Sequence, residues 1–291
     1  MTETLQNYFA IGAMLNPTSM RLRNIHPASS TPAKLPGFRL HFFGEAGMAE
    51  AVPDQDGCLH GVIHVLNDDE MRRLDKIETG YDKTFATAVT YDGTEVEVFV
   101  YCRNDQDIVR SEEHDSPPSE RYLQILTEGA EHFGVDPDYI KFLRTHEFEP
   151  RTKPGDYLSF DMPTGEIKTF TKEEIDQADG KDGRPFMACI NGKVIKAMCS
   201  HDEVVVRRWI NVGIDHFELV LSRNLYDPKY GEPPSRLEDF TRDHCACIED
   251  FVVRRLKGLV EIEAKKKGPG SPSDLLFACV GRFEQTYKDG A

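Results

Sequence analysis

The sequence predicts a mixed α/β fold for its first half and an α+β fold for its second half. In residues 1–150, short apolar runs that predict strands alternate with amphipathic segments that predict helices. Pro150, Pro154 and Gly155 interrupt this pattern, and the texture of the sequence changes after them. The length of 291 residues fits two domains of ordinary size. We therefore place a boundary near residue 150 and expect domains at 1–150 and 151–291.

Strands are predicted in the first half where short apolar or alternating runs end at turn residues. Asp92-Gly93 is a strong hairpin signal, because both residue types tolerate the positive φ of a tight turn. A loop is predicted through Pro27, Pro32 and Pro36, because proline cannot donate a backbone hydrogen bond. The predicted strands cover 8–15, 38–42, 58–66, 84–91 and 95–101.

Three helices are predicted in the first half, and residues that favour helix N-termini mark two of them. Asn67 precedes one helix, and Glu70 follows it at the spacing of a capping box. Asp136 precedes another, with Pro137 at its first position. Between these two, residues 119–133 carry an apolar face at helical spacing.

The second half is predicted to contain two hairpins, a strand and two helices. Gly165 lies at the turn of a polar hairpin, and Asn191-Gly192 predicts a second turn. Thr171 and Glu174 stand in capping-box spacing at the start of a short helix. The other predicted elements are hairpins over 156–170 and 186–198, a strand over 214–221 and a long helix over 237–262.

Charge and composition exclude several classes of protein. The chain has 50 acidic and 35 basic residues, a net charge of −15, so we expect no binding to nucleic acid or anionic membranes. No run approaches the ~18 apolar residues of a membrane span, and no basic leader precedes the first apolar stretch. The seven cysteines form no Cys-x-x-Cys pair, which indicates a reducing compartment. We expect a cytoplasmic protein.

One cysteine cluster invites a metal-binding hypothesis. His244-Cys245-Ala246-Cys247 lies on the long predicted helix, where residues two positions apart point about 200° apart. Cys245 and Cys247 therefore do not share one ion easily, and we favour core packing. The sequence also has no glycine-rich phosphate loop of the Gly-x-x-x-x-Gly-Lys or Gly-x-Gly-x-x-Gly type. We expect neither a metal nor a cofactor.

Six segments resemble, in order and spacing, the motifs of the γ-glutamylcyclotransferase family across residues 8–148. The run Tyr-Phe-Ala-Ile-Gly-Ala-Met-Leu is similar to a family loop that typically ends Tyr-Gly-Ser-Asn-Leu, and Leu-Asp-Lys-Ile-Glu matches a helix end whose Glu is catalytic. The resemblance implies a small curved sheet or barrel with flanking helices. The six segments are 8–15, 35–42, 47–49, 60–64, 74–78 and 119–122.

The resemblance implies that Glu78 is the catalytic residue for the cyclisation of a γ-glutamyl small molecule to 5-oxoproline. The substrate α-amine, with a pKa of about 8, is mostly protonated near pH 7, so a base must accept its proton. Burial could raise the pKa of Glu78 toward about 6–7, where one carboxyl both accepts and donates a proton. The alternative is a surface Glu at a helix C-terminus, which the helix dipole disfavours.

The same resemblance implies a set of substrate-binding residues. Backbone N–H groups of the loop would bind the substrate carboxylate or the oxyanion of the γ-carbonyl. Ile11, Ala13 and Met14 depart from the family's Tyr, Ser and Asn and remove side-chain hydrogen bonds. Arg21 and Arg23 could attract a carboxylate or be surface charges. The predicted binding residues are Tyr8, Phe9, Ala10, Ile11, Gly12, Ala13, Met14, Leu15, Tyr81, Phe85 and Tyr122.

Two further hypotheses remain open. The apolar side chains of Ile11, Ala13 and Met14 are consistent with a non-catalytic protein that binds a small molecule or a partner in the same pocket. An enzyme with altered lyase or amide-cleaving activity is the third possibility. The second domain could close the active site, form a homodimer or bind a partner, and the sequence does not choose among these roles.

Overall fold

The structure, a computed structural model, describes residues 4–43, 47–78, 81–103, 116–197, 226–267 and 277–283. The chain divides into two compact units. The first comprises Met1–Arg151 with Asp227–Glu232, and the second comprises Thr152–Tyr226 with Pro233–Ala291. Residues 227–232 therefore pack with the first unit although they follow much of the second along the chain.

The first unit is built on a closed five-stranded barrel with the strand order β1-β3-β2-β4-β5. Successive strands are antiparallel, and the barrel closes where β1 and β5 pair in parallel at Tyr8 and Phe99. This architecture confirms the predicted barrel. The strands are β1 (Gln6–Ala10), β2 (Ser29–Phe43), β3 (Met48–Leu66), β4 (Tyr81–Thr90) and β5 (Glu95–Arg103).

Two barrel strands are much longer than predicted. β2 passes through Pro32 and Pro36, so the loop predicted there is wrong. Among the described residues β2 pairs with β4 only at Ala33 and Lys34, so most of β2 has one neighbouring strand and tolerates residues without an N–H. The register shifts after Pro36, where Gly37 adopts a φ of 81°.

Four helices flank the barrel, and the starts of two of them confirm the predicted caps Asn67 and Asp136. Asn67 and Glu70 form the capping box of α2, and Asp136 caps α4. Asn16 caps a short helix that begins at Pro17, because its Oδ1 accepts the N–H groups of Thr18 and Ser19. The helices are α1 (Pro17–Arg21), α2 (Asp68–Ile77), α3 (Glu120–Phe133) and α4 (Pro137–Leu143).

The barrel wall separates two apolar clusters, because successive strand residues point to opposite faces. Phe9 is completely buried in the barrel interior. Its neighbours Tyr8 and Ala10 face outward, where α3 covers them with Tyr122 and Leu126. The outer cluster is the one that matters for function, since it surrounds the candidate site.

Residues 227–232 are attached to the first unit by ion pairs. The Nε of Arg151 lies 2.8 Å from Oδ2 of Asp227, and both side chains are largely buried. Arg151 also pairs with Glu120 at the start of α3. At the other end of the segment, Nη1 of Arg21 donates to Oε2 of Glu232 at 2.8 Å. The segment thus joins the end of α1 to the beginning of α3.

The second unit is an α+β fold, as predicted, with a four-stranded sheet in the order β6-β9-β8-β7. Asn191 and Gly192 have φ values of 51° and 70°, which confirms the predicted hairpin turn. Its strands are β6 (Thr169–Phe170), β7 (Met187–Ile190), β8 (Lys193–Ala197) and β9 (Phe277–Phe283), and its helices are α5 (Lys172–Asp176) and α6 (Arg242–Lys267).

The hairpin predicted over 156–170 is wrong. The N–H groups of Leu158 and Phe160 donate to the carboxylates of Asp250 and Glu249 on α6 rather than to a second strand. Both carboxylates are buried, and they also accept hydrogen bonds from the side chains of Asn191, Lys193 and Arg254. The long helix was predicted to begin too early, since a 3₁₀ turn over Leu237–Asp239 precedes α6.

One strand predicted for the second unit is not described by the structure, and one observed strand was not predicted. The strand predicted over 214–221 lies outside the described residues. β9 was not predicted, although it occupies a central position in the sheet. Within the described ranges, no helix combines the length and apolarity that crossing a membrane requires.

Candidate active site

Glu78 lies at the C-terminal end of α2, on the outer surface of the barrel. Its N–H donates to the carbonyl of Leu74 at 2.9 Å, and its carbonyl accepts the N–H of Tyr81 at 3.1 Å. These two bonds fix the backbone between α2 and β4. The fold therefore delivers the Glu78 side chain to one place beside the outer cluster.

The environment of Glu78 makes its carboxyl a proton-exchanging group near neutral pH. Burial raises the pKa of Glu78 to about 7, and the positive charge of Arg23 partly opposes this rise. Burial also raises the pKa of Tyr8, Tyr101 and Tyr122, and in each case the charge of Glu78 adds to the rise. Glu78 thus sits among three tyrosines that remain protonated at neutral pH.

The segment around Gly12, residues 11–15, is called the glycine loop below, and it forms a short 3₁₀ turn over Ala13–Leu15. The N–H of Leu15 donates to the carbonyl of Gly12 at 2.9 Å, so this donor is used within the turn. A Cβ atom on Gly12 would lie 3.0 Å from the hydroxyl of Tyr122. That hydroxyl accepts the N–H of Ala49 at 3.2 Å. Gly12 therefore leaves room for the Tyr122 hydroxyl close to the loop, and a Cβ atom there would be in tight contact with it.

The structure brings several predicted site residues together. Tyr8 and Tyr122 contribute to the outer cluster, and the charge of Glu78 acts on both. Tyr81, rather than Phe85, belongs with them, because it packs against the outer cluster and acts electrostatically on Tyr122. Ala10, Ala13, Met14 and Leu15 pack into or against the same cluster, so any role in binding falls to their backbone groups.

The side chains of three predicted binding residues point elsewhere, and we correct the assignment of Phe9 and Phe85. The side chain of Phe9 on β1 and that of Ile11 just after it lie in the barrel interior. Any role of Ile11 in binding therefore falls to its backbone N–H, as predicted. The ring of Phe85 is 78% exposed, with its centroid 6.5 Å from that of Phe99. Sequence spacing from Glu78 placed Phe85 near the site, but its side chain does not contribute to the buried part.

His64 is a buried residue next to the loop that sequence reasoning missed. Its Nε2 lies 3.1 Å from the carbonyl of Met14, and its Nδ1 lies 2.8 Å from Oγ of Ser30. A carbonyl only accepts, so Nε2 must carry the proton and Nδ1 accepts the hydroxyl of Ser30. Burial lowers the pKa of His64 to about 4, so this tautomer is neutral at physiological pH. His64 thereby ties the glycine loop to β2 and β3.

We expect His64 to make the protein sensitive to acid. Its folded pKa of about 4 lies below the ordinary 6.5, so the unfolded chain binds the proton first as pH falls. The stabilisation is complete above pH 6.5 and is lost as pH falls toward 4. From pH 8 to pH 5, the stability advantage of the wild type over His64→Gln should shrink by about 2 kcal/mol.

Urea unfolding of both proteins at pH 8 and pH 5 measures this change. His132→Gln, which removes an exposed histidine on α3, is the matched control for the loss of a histidine away from the site. An advantage that is the same at both pH values would contradict the buried neutral His64.

A second set of interacting side chains beside the site, around Asp75, was not predicted from the sequence. The hydroxyl of Tyr101 donates to Asp75 on α2, and Nζ of Lys83 lies 2.9 Å from Oδ1 of the same carboxylate. Lys83 also lies 5.0 Å from the ring centroid of Phe99, which stacks on Tyr8. These contacts of Asp75 and Lys83 hold Tyr101 and Phe99 in place beside Tyr8. Asp75 stands in the same Leu-Asp-Lys-Ile-Glu segment as Glu78, but the sequence gives no sign that its carboxylate pairs with Tyr101 and Lys83.

Metal ligation finds no support in the part of the chain that the structure describes. Among those residues, no group of three or more His, Cys, Asp and Glu side chains could hold an ion. Cys245 is buried on α6. Its environment accords with core packing.

Comparison with known proteins agrees with the resemblance seen in the sequence. Residues 8–124 match the profile of the family described as γ-glutamyl cyclotransferase, AIG2-like. The match covers β1 to the first part of α3 and includes Gly12, Glu78 and Tyr122. It confirms the predicted relationship for the first unit. No curated protein matches the chain.

Solved structures with a similar arrangement cover about half of this chain. The human protein loc79017 is 24% identical, with a TM-score of 0.44 over 51% of this chain and 92% of its own. A γ-glutamyl cyclotransferase is 22% identical, with a TM-score of 0.43 over 57% of this chain and 94% of its own. The protein At5g39720.1 from Arabidopsis thaliana is 17% identical, with a TM-score of 0.35 over 50% and 98%.

Proposed function

We propose that the first unit cyclises a γ-glutamyl compound to 5-oxoproline, with Glu78 as both general base and general acid. The observation that carries this proposal is the pKa of Glu78, raised to about 7 by burial beside Tyr8 and Tyr122. A carboxyl with that pKa exchanges protons efficiently at neutral pH. The family match over residues 8–124 supports the same chemistry.

The reaction transfers an acyl group within one molecule. The substrate α-amine attacks the γ-carbonyl carbon and forms the new C–N bond of a five-membered ring. Glu78 accepts the proton that the amine loses and then donates it to the departing nitrogen as the original amide bond breaks. No water is consumed, and the enzyme mainly holds two groups of one molecule in reacting geometry.

We assign to the backbone of the glycine loop the stabilisation of the negative charge that develops on the γ-carbonyl oxygen during attack. The hydrogen bond within its 3₁₀ turn begins at Leu15, so the N–H groups of Ala13 and Met14 lie in the first turn. Such donors stabilise an oxyanion when they are fixed in advance. The bond from His64 to the Met14 carbonyl supplies this rigidity.

A second candidate function is small-molecule binding without turnover. Ala13 and Met14 carry no polar side-chain group toward a ligand, and Met14 is buried in the outer cluster. A loop that keeps its backbone but lacks the hydroxyl and amide of the family motif is consistent with binding alone. The two functions differ only in whether Glu78 moves a proton.

One assay separates them. The purified protein is incubated with glutathione, several γ-glutamyl dipeptides and γ-glutamyl-ε-lysine, and 5-oxoproline is measured by mass spectrometry. We expect release from at least one donor above the level of heat-inactivated protein. Binding of a donor or of 5-oxoproline without release would favour the second candidate, and neither binding nor release would contradict both.

A further inference from the structure

We propose that residues 227–232 hold the glycine loop against Tyr122 and that Asp227 is a positioning residue of the candidate active site. These residues, called the bridging segment below, pack with the first unit, although the chain on either side of them belongs to the second. They lie outside the family match over residues 8–124, so the inference assigns to the site a part that the matched segment does not contain. Only its kinetic test rests on the proposed function.

Asp227 anchors one end of the bridging segment through a paired contact with Arg151. Nε of Arg151 donates to Oδ2 of Asp227 at 2.8 Å, and Nη2 donates to Oδ1 at 3.0 Å. The two side chains are only 14% and 11% exposed, so solvent screens their attraction little. Because both carboxylate oxygens are engaged, the contact fixes the orientation of the guanidinium as well as its position.

The oriented guanidinium of Arg151 in turn holds the start of α3 on either side of Tyr122. Its Nη1 lies 2.7 Å from Oε1 of Glu120, and its Nη2 donates to Oε1 of Gln124. These two residues share one face of α3, and Tyr122 lies between them in sequence on the opposite face. There its ring packs in the outer cluster, and its hydroxyl lies beside the glycine loop. Loss of the contact with the bridging segment would therefore loosen the turn of α3 that carries Tyr122.

The other end of the bridging segment lies against α1, which begins directly after the glycine loop. Glu232 accepts hydrogen bonds from both terminal nitrogens of Arg21, the last residue of α1, at 2.8 and 2.5 Å. Both side chains are about half exposed, so this pair contributes little stability on its own. The pair sets where the bridging segment ends, which is at the helix that continues the glycine loop.

A tight turn sets the distance between these two anchors. The carboxylate of Asp227 also accepts the N–H of Lys229 at 2.9 Å, and its carbonyl accepts the N–H of Tyr230 at 3.0 Å. Gly231 has a φ of 81°, which glycine adopts without strain, and it pairs back with Asp227 in an antiparallel bridge. The bridging segment is therefore a short, internally bonded link between α1 and α3.

The site needs such a link because the glycine loop and Tyr122 approach each other closely. A Cβ atom on Gly12 would lie 3.0 Å from the Tyr122 hydroxyl. The residue that follows the loop meets α3 further along the helix, where Nδ2 of Asn16 donates to the carbonyl of Ile125 at 3.4 Å. The bridging segment adds a link at the N-terminal end of α3. Since a displacement of ~1 Å can reduce catalysis by about 10²-fold, a small rearrangement here is measurable as a rate.

The test compares Asp227→Asn with Asp179→Asn in the full-length chain. Asparagine keeps the shape of aspartate but lacks the charge and the second acceptor oxygen that the paired contact needs. Asp179 is the matched control, because both of its oxygens contact Nη2 of Arg184 within the second unit, at 3.0 and 3.1 Å. Two quantities are measured well below the unfolding temperature: kcat/KM for 5-oxoproline release, and the backbone amide resonance of Gly12 in a ¹H–¹⁵N correlation spectrum.

We expect Asp227→Asn to lower kcat/KM roughly 10-fold or more and to shift the Gly12 resonance. The pH dependence of the rate should keep its midpoint, because hydrogen bonds with Leu74 and Tyr81 fix the backbone of Glu78 independently of the bridging segment. Asp179→Asn should change none of these quantities, and an equal effect of this control would overturn the inference. A merely structural role of Asp227 would lower the unfolding temperature and leave kcat/KM and the Gly12 resonance unchanged.

The outcomes separate this inference from the proposed function. If the wild type releases 5-oxoproline while Asp227→Asn keeps the wild-type rate and Gly12 resonance, the inference is overturned and the proposed function stands. If the wild type releases no 5-oxoproline from any donor, the proposed function fails, and the Gly12 resonance alone decides the inference. If Asp227→Asn does not fold, Asp227→Glu replaces it, because this change keeps the charge and lengthens the side chain. The same two results then support or overturn the inference.

Discussion

Glu78→Gln is expected to lower 5-oxoproline release by at least roughly 10²–10⁴-fold, the range that a positioned general acid and base contributes. Glutamine has nearly the same shape but cannot accept the proton of the α-amine. The loss should appear in kcat, because the backbone groups of the loop that we expect to bind the substrate are left in place. Initial rates of 5-oxoproline formation under saturating donor measure it, with Glu95→Gln, at an exposed position of β5, as control.

The same substitution is expected to stabilise the fold at alkaline pH. The folded pKa of about 7 lies above the ordinary 4.5, so the native protein keeps this proton longer than the unfolded chain. The contribution of Glu78 to stability is therefore greatest below pH 4.5 and falls as pH rises through 7. The advantage of Glu78→Gln over the wild type should grow by about 2–3 kcal/mol between pH 5 and pH 8.

Urea unfolding at pH 5 and pH 8 tests whether the substitution that lowers activity also raises the free energy of unfolding at the higher pH. A variant that loses activity and gains stability only at high pH has lost a buried ionisable group. A variant that loses both activity and stability would instead show that the carboxylate has a structural role. That result would contradict the description of Glu78 as an acid–base group whose ionisation destabilises the fold.

Gly129→Ala is expected to have the second-largest effect, because α3 touches the glycine loop at this residue. A Cβ atom there would lie 2.4 Å from the carbonyl oxygen of Leu15 and 2.5 Å from its carbonyl carbon. Both are backbone atoms and cannot rotate away. The helix or the loop must move, at a cost of about 1–3 kcal/mol for overpacking.

A displacement of ~1 Å at the loop can reduce catalysis by about 10²-fold. Thermal unfolding and kcat/KM are measured for Gly129→Ala beside Gly155→Ala, where a Cβ atom would meet nothing within 4 Å. We expect the control to be neutral. Unchanged stability and activity in Gly129→Ala would show that the loop does not depend on this contact.

The local features of the fold were predictable because they depend on a few adjacent residues. Asn67 with Glu70 and Asn191 with Gly192 specify a cap and a turn by their own conformational preferences. The long strand β2 was not predictable. Pro32 and Pro36 normally interrupt a strand, and they are tolerated here because most of β2 has only one neighbouring strand among the described residues. The hairpin at 156–170 failed for the same reason, because its N–H groups find carboxylates on a distant helix.

The candidate site was predictable only in part. Glu78, Gly12 and Tyr122 stand in recognisable motifs, and the fold brings their segments together. His64 has no such motif, and its role follows from a contact with a carbonyl 50 residues away. Arg23 was open to two interpretations, and the electrostatic effect of Glu78 on its guanidinium arises only in the folded chain. Such pairings depend on tertiary packing, which spacing along the chain does not encode.

The central claim is that Glu78 is a partly buried residue whose carboxyl exchanges its proton near pH 7. The most direct measurement is an NMR titration of protein with ¹³C-labelled glutamate carboxyl groups, with the Glu78 resonance identified by its absence in Glu78→Gln. The account predicts a titration midpoint near 7 for this resonance. A midpoint near the ordinary 4.5 would contradict it, because such a carboxylate is too weak a base to activate the substrate amine.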